Sequence, residues 1–198
     1  MNGADSAIVI LAAGASRRLG VPKQLLPWGS STLLQDRLAM CRELDLPLWI
    51  TLGAQAEACW AALDDHSNLR RIDVTDHAGG LSGSIRAAVA VAQTQPEIAR
   101  LLILPLDQYR VEASWLRELL LLAERWPRSM IASSCNGLRG APAVFPRDYF
   151  PALANLQGDA GARRLLREAE PPQVIDVQRG PPGDLDTVDD LRAARGEM

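Results

Sequence analysis

Short apolar runs alternate with longer stretches of helical periodicity, and that alternation leaves few folds open to the chain. The runs cover residues 7–11, 46–52, 71–74, 100–104, 130–133, 143–145 and 173–177. The helical stretches between them cover 32–43, 55–63, 84–93, 114–125, 149–156, 160–168 and 187–195. Strand–helix alternation favours βαβ units and a largely parallel sheet, an α/β fold. The run at 141–145 follows a Gly-rich turn with no intervening helix, so it is expected to add an antiparallel strand. Ser114 is the expected N-cap of the fourth helix, and Pro127 its stop. No repeat or linker divides the sequence, so one domain over 1–198 is expected, with Gly180-Pro181-Pro182-Gly183 as a rigid turn inside it.

At 198 residues the chain can bury a substantial core. A net charge of −3 with no basic block argues against a nucleic-acid partner. No apolar run is long enough to span a membrane, and the N-terminus does not read as a signal peptide. Cys41, Cys59 and Cys135 lack metal or disulfide spacing and read as reduced core thiols of a cytoplasmic protein. His66 and His77 are too few to build a zinc site with them.

The segment Leu11-Ala12-Ala13-Gly14-Ala15-Ser16-Arg17-Arg18-Leu19-Gly20-Val21-Pro22-Lys23 follows the first apolar run directly. A turn rich in small residues can aim several backbone N–H groups at one anion, and cationic side chains add charge. It is neither a Walker loop, since Gly20 is followed by Val21-Pro22-Lys23, nor a dinucleotide fingerprint, since Gly14 and Gly20 stand alone. The composition suits a triphosphate cradle; a solvated basic turn is the alternative. In an open parallel sheet ligands bind beyond the carboxyl ends of the strands, where this loop lies.

Two carboxylate segments belong to the same rim. The run 101–106 ends in Asp107, and Asp184 and Asp186 precede the last helix. Magnesium accompanies nucleoside triphosphates and prefers hard oxygen ligands. Helix capping is the other reading for Asp184 and Asp186, and a structural turn the other for Asp107. Gly79-Gly80-Leu81-Ser82-Gly83-Ser84 is a second small-residue loop running into a helix. Its backbone can approach a flat base, with Ser82 and Ser84 offering hydroxyls or, alternatively, a cap.

Residues 11–27, continued by Trp28-Gly29 and Thr32-Leu33-Leu34, resemble the signature of nucleotidyltransferases of the molybdenum cofactor cytidylyltransferase kind (MobA/MocA-like). The resemblance runs from about residue 7 to 191 and implies a three-layer sandwich with a mostly parallel, Rossmann-like sheet of the nucleotide-diphospho-sugar transferase type. It implies Mg2+-dependent transfer of CMP from CTP to the phosphate of a molybdopterin-type acceptor, with release of pyrophosphate. Lys23, Arg17 and Asp107 take the catalytic roles. Leu11, Ala12, Ala13, Gly14, Ser16, Gly79, Gly80, Ser82 and Ser84 hold the nucleotide, and Asp107, Asp184 and Asp186 hold the metal. Gly140, Pro142, Gly158, Asp159 and Arg163 shape the acceptor pocket; on residue type alone Arg163 is a surface helix residue. A molybdoenzyme or its maturation factor is an implied partner. Ala13 stands where related guanylyltransferases usually carry glycine, which favours CTP over GTP. Tyr109 and Ala141 replace a usual proline and histidine, which leaves another nucleotide, another phosphate acceptor, or a non-catalytic binding protein as alternatives.

Overall fold

The computed structural model describes residues 5–16, 19–53, 55–75, 80–158 and 161–196. Strand β1 (Ser6–Ala12) leads to a small hairpin, β2 (Pro27–Trp28) and β3 (Ser31–Thr32), and then to α1 (Leu33–Arg42). There follow β4 (Leu48–Leu52), α2 (Ala56–Ala61), β5 (Leu69–Asp73), α3 (Gly80–Gln93), β6 (Arg100–Pro105) and α4 (Ala113–Arg125). The remainder comprises β7 (Met130–Cys135), β8 (Leu138–Pro146), α5 (Phe150–Ala154), α6 (Arg163–Glu168), β9 (Val174–Gln178) and α7 (Val188–Gly196).

Seven strands form one sheet in the order β5-β4-β1-β6-β8-β7-β9. The pairs β1–β4, β1–β6, β4–β5 and β7–β9 are parallel, whereas β8 runs antiparallel to both β6 and β7. Every residue of β1 is buried, because helices cover both sheet faces. Ile8 and Ile10 point into one core with Leu34 and Leu38 of α1 and Leu116 and Leu119 of α4. Ala7, Val9 and Leu11 point into the other with Ile85 and Val89 of α3, Phe150 of α5 and Leu166 of α6. The result is the expected three-layer sandwich, with β8 as the expected antiparallel strand.

Several boundaries move for identifiable reasons. Helix α3 starts at Gly80, four residues before the apolar periodicity suggests, so Ser82 and Ser84 are buried helical residues and not caps. Helix α4 starts at Ala113 behind Glu112, which displaces Ser114 from the N-cap. The β2–β3 hairpin is too short to leave a periodic signal. Cys41 and Cys59 are buried, but Cys135 is only half-buried at the end of β7. Burial pushes the Cys41 thiol up to about 12 against a smaller opposing pull from the Arg37 charge. No helix among the described residues is long and apolar enough to cross a membrane.

Candidate active site

Parallel pairing sets Leu11 beside Thr51 and Pro105, so β1, β4 and β6 release their loops at one edge of the sheet. The loop after β1 is held from below. The N–H of Ala12 donates to the buried Thr51 hydroxyl at 3.3 Å, and Leu106 N–H donates to the Leu11 carbonyl at 3.1 Å. Gly53 lies so close under Ala13 that a β-carbon there would collide with the Ala13 carbonyl.

Gln24 does the rest of the bracing. Its buried side-chain amide donates to the carbonyls of Ala12 and Gly14 at 2.6 and 3.0 Å. Two carbonyls that would repel an anion are thereby engaged. Ser16, in a left-handed conformation (φ 51°), accepts the backbone N–H of Lys23 at 2.9 Å. Pro22 is extended, and Lys23 begins a single 3-10 turn over Lys23–Leu25. Thus Ser16, Lys23 and Gln24 form one knot at the mouth of the loop. Arg17 lies outside the described residues, as do Gly79 and Asp159.

The Lys23 side chain reaches across to the carboxylates. Its Nζ donates to Asp107 Oδ2 at 2.7 Å and to Asp186 Oδ1 at 2.8 Å. Burial alone would lower the pKa of this ammonium, but the charges and hydrogen bonds of Asp107 and Asp186 outweigh that and hold it above the usual lysine value. Asp184 stands slightly apart. Loss of water around its carboxyl, then the nearby charge of Asp107, raise its pKa; a hydrogen bond from Gln108 opposes the rise, Asp186 adds to it, and the Arg163 charge counters it.

The two acidic segments are joined through their backbones. Gln108 and Asp184 form an isolated antiparallel bridge, Leu185 N–H donates to the Asp107 carbonyl at 3.2 Å, and Arg110 N–H to Pro182 at 3.0 Å. Gly183 (φ 75°) is pressed against the Tyr109 ring, which a β-carbon would meet at 2.6 Å. Tyr109 also meets Trp28 edge-on, with ring centroids 5.4 Å apart. The residue that replaces the usual proline therefore packs the acidic strap onto the hairpin. Helix capping does not account for Asp184 or Asp186. Thr187 and Asp190 cap α7 between themselves: Thr187 Oγ accepts Asp190 N–H at 3.2 Å, and Asp190 Oδ2 accepts Thr187 N–H at 2.7 Å.

One contributor left no mark in the sequence. Arg37 of α1 is buried, and its guanidinium donates to the Val111 carbonyl at 2.7 Å and the Gln108 carbonyl at 3.5 Å while pairing with Asp36. It anchors the loop that carries Asp107. An isolated arginine inside an amphipathic helix reads as surface, so periodicity gave no warning of it.

The acceptor-side residues converge from the other half of the sheet. Strand β8 pairs with β6 through Ile103–Ala143, which leaves Gly140 and Pro142 at the end of the sheet that carries Asp107. The Ser133 hydroxyl donates to the Pro142 carbonyl at 2.6 Å and itself accepts the Trp115 indole N–H at 2.9 Å. Gly158 accepts the Ser82 N–H at 3.4 Å, Gly161 touches Leu81, and Arg86 donates to the Leu156 carbonyl at 2.6 Å. These contacts dock the 156–161 segment onto the start of α3. The hydroxyl of Ser82 and the Oε1 atoms of Gln24 and Gln108 are buried without a hydrogen-bond partner among the described residues.

No three His, Cys, Asp or Glu side chains among the described residues come close enough to make a metal cage on their own. Asp107 and Asp186 nevertheless turn two hard oxygens toward one cation. A magnesium-sized ion typically takes one or two carboxylates and completes its shell with phosphate oxygens and water, so the donor set fits such an ion bound with a triphosphate.

Comparison with known proteins gives this arrangement a context. Residues 8–174 match the MobA-like NTP transferase domain family. The chain is 33% identical over 204 residues to nicotine blue oxidoreductase of Paenarthrobacter nicotinovorans, covering 92% of this chain and 93% of that one. It is 30% identical over 188 residues to purine catabolism protein PucB of Bacillus subtilis (strain 168), covering 91% and 90%. A shorter match, 31% identical over 87 residues and 44% of this chain and 45% of the other, is to molybdenum cofactor cytidylyltransferase of Escherichia coli (strain K12). Among solved structures, Rv0371c of Mycobacterium tuberculosis H37Rv in complex with manganese superposes with a TM-score of 0.81 at 30% identity, covering 98% of this chain and 100% of that one.

Proposed function

The chain belongs to the MobA-like NTP transferase family, and from that premise we propose that it transfers CMP from CTP to the phosphate of a molybdopterin-type acceptor. One observation carries the reading: the loop after β1 presents Lys23 to Asp107 and Asp186 at 2.7 and 2.8 Å, so cationic and anionic groups meet at one point. A nucleotidyl transfer needs that combination. The partial likeness to a molybdenum cofactor cytidylyltransferase and Ala13 in the loop support cytosine and the pterin acceptor.

In the reaction an oxygen of the acceptor phosphate attacks the α-phosphorus of CTP. The new P–O bond forms as the bond to the β-phosphate oxygen breaks, and pyrophosphate leaves with that electron pair. The acceptor phosphate is already anionic near neutral pH, its second pKa being about 6. No protein base is required, so the residues' work is positioning and neutralisation. Backbone N–H groups of residues 12–16 and the Lys23 ammonium face the triphosphate, with Arg17 adding charge to its outer phosphates. Ser82, Ser84, Gly79 and Gly80 border the base and ribose. Gly140, Pro142, Gly158, Asp159 and Arg163 border the acceptor. Asp107 and Asp186, with Asp184 behind them, would hold Mg2+, which supplies charge neutralisation on the phosphates. We place this activity in a single domain of a cytoplasmic enzyme that passes its product to a molybdoenzyme or its maturation factor.

The test is turnover. Purified protein with Mg2+, CTP and molybdenum cofactor should release pyrophosphate and form the cytosine dinucleotide, with GTP the poorer substrate. Equal or faster turnover with GTP would reassign the base, and no pyrophosphate with any nucleotide would leave only binding.

A further inference from the structure

Lys23 is the sole lysine of the chain; every other basic side chain is arginine. It also occupies an unusual position, with its Nζ 2.7 Å from Asp107 and 2.8 Å from Asp186. Its side chain is 14% exposed, and the two carboxylates sit on loops from opposite ends of the sequence. An ammonium is a compact point charge on a flexible four-carbon stem, whereas a guanidinium makes a fixed planar fork. Of the two, only lysine can both neutralise this pair and leave it without disturbing the backbone. That backbone is tied down: Lys23 N–H is held by the Ser16 hydroxyl at 2.9 Å, and the next residue, Gln24, is bound to the carbonyls of Ala12 and Gly14. Only the side chain is left to move.

We propose that Lys23 is the resident cation of the Asp107–Asp186 pair, and that a divalent metal ion enters the pair only in exchange for it. The inference rests on the proposed triphosphate-binding reading of the loop. Two cations cannot share these oxygens at close range without strong repulsion, since like charges about 3–4 Å apart cost several kcal/mol even at an effective dielectric near 20. A triphosphate on the neighbouring loop offers the ammonium another anion within reach of its stem. Metal and nucleotide thereby become coupled ligands, each making room for the other, and the coupling is reciprocal. Without nucleotide the carboxylates stay neutralised by the protein's own cation and admit metal poorly.

The experiment measures metal binding by nucleotide-free protein, with free Mn2+ followed by electron paramagnetic resonance. Lys23→Met should bind Mn2+ at least ~10-fold more tightly than the parent, because the competing charge is gone. Equal or weaker binding by a folded Lys23→Met overturns the proposal. A second measurement needs no variant. Protein labelled with 15N at the lysine side chain gives a single Nζ resonance, and saturating Mg2+ without nucleotide should shift it in step with metal occupancy. Occupancy with an unmoved Nζ signal overturns the proposal as well. Failure of the reading beneath it looks different: CTP with Mg2+ would then leave melting temperature and the Nζ signal unchanged, while the metal-only results stand as found.

Discussion

Gly53 lies directly against the carbonyl of Ala13, with no room for a methyl group between them. The obstruction is backbone on both sides, so neither partner can swing away. Gly53→Ala should therefore displace the loop after β1 and cost about 1–3 kcal/mol, the usual range for overpacking. Denaturant unfolding measures the cost, and KM for the nucleotide should rise with it. An unchanged KM would mean that the loop takes no part in binding nucleotide.

Gln24→Glu tests the bracing of that loop in a different way. The variant replaces two donated hydrogen bonds by a carboxylate facing the carbonyls of Ala12 and Gly14. Removing a buried donor and leaving its acceptors unpaired costs about 1–3 kcal/mol. We expect weaker triphosphate binding by calorimetry and a lower melting temperature, with Gln24→Met intermediate. Parent-like affinity for triphosphate in Gln24→Glu would show that the loop's carbonyls need no restraint.

Lys23→Ala should lower kcat by roughly 100-fold or more, as for loss of one preorganised donor to developing charge. Steady-state pyrophosphate release is the measurement. A variant within a few-fold of the parent removes Lys23 from the chemistry.

Asp107→Asn keeps the shape of the side chain and discards its charge. The Mg2+ concentration for half-maximal activity should rise about 10-fold or more, in line with the loss of a direct or supporting ligand. A superimposable Mg2+ titration would exclude Asp107 as a metal ligand.

Much of this was legible in the residues themselves. The buried strands announced themselves as continuous apolar runs because both sheet faces are covered, and the antiparallel β8 followed from the missing helix before it. Lys23 and Asp107 could be placed at one rim by the rule for parallel sheets, although 84 positions separate them. Other features were silent for physical reasons. The start of α3 carries Gly and Ser where periodicity looks for apolar residues, so Ser82 and Ser84 read as caps. The partners of Arg37, Gln24 and Gly53 are backbone carbonyls, which leave no trace in side-chain pattern. Nor does spacing distinguish a capping carboxylate from a catalytic one: Asp184 and Asp186 were separated from that role only by seeing Thr187 and Asp190 cap α7.

The most direct test of the central claim is a crystal of the protein grown with Mn2+ and a non-hydrolysable CTP analogue, with the metal located by its anomalous scattering. We expect the peak within bonding distance of Asp107 and Asp186, with Lys23 turned onto the triphosphate. A triphosphate bound away from residues 12–16, or a metal peak remote from both carboxylates, would contradict the account.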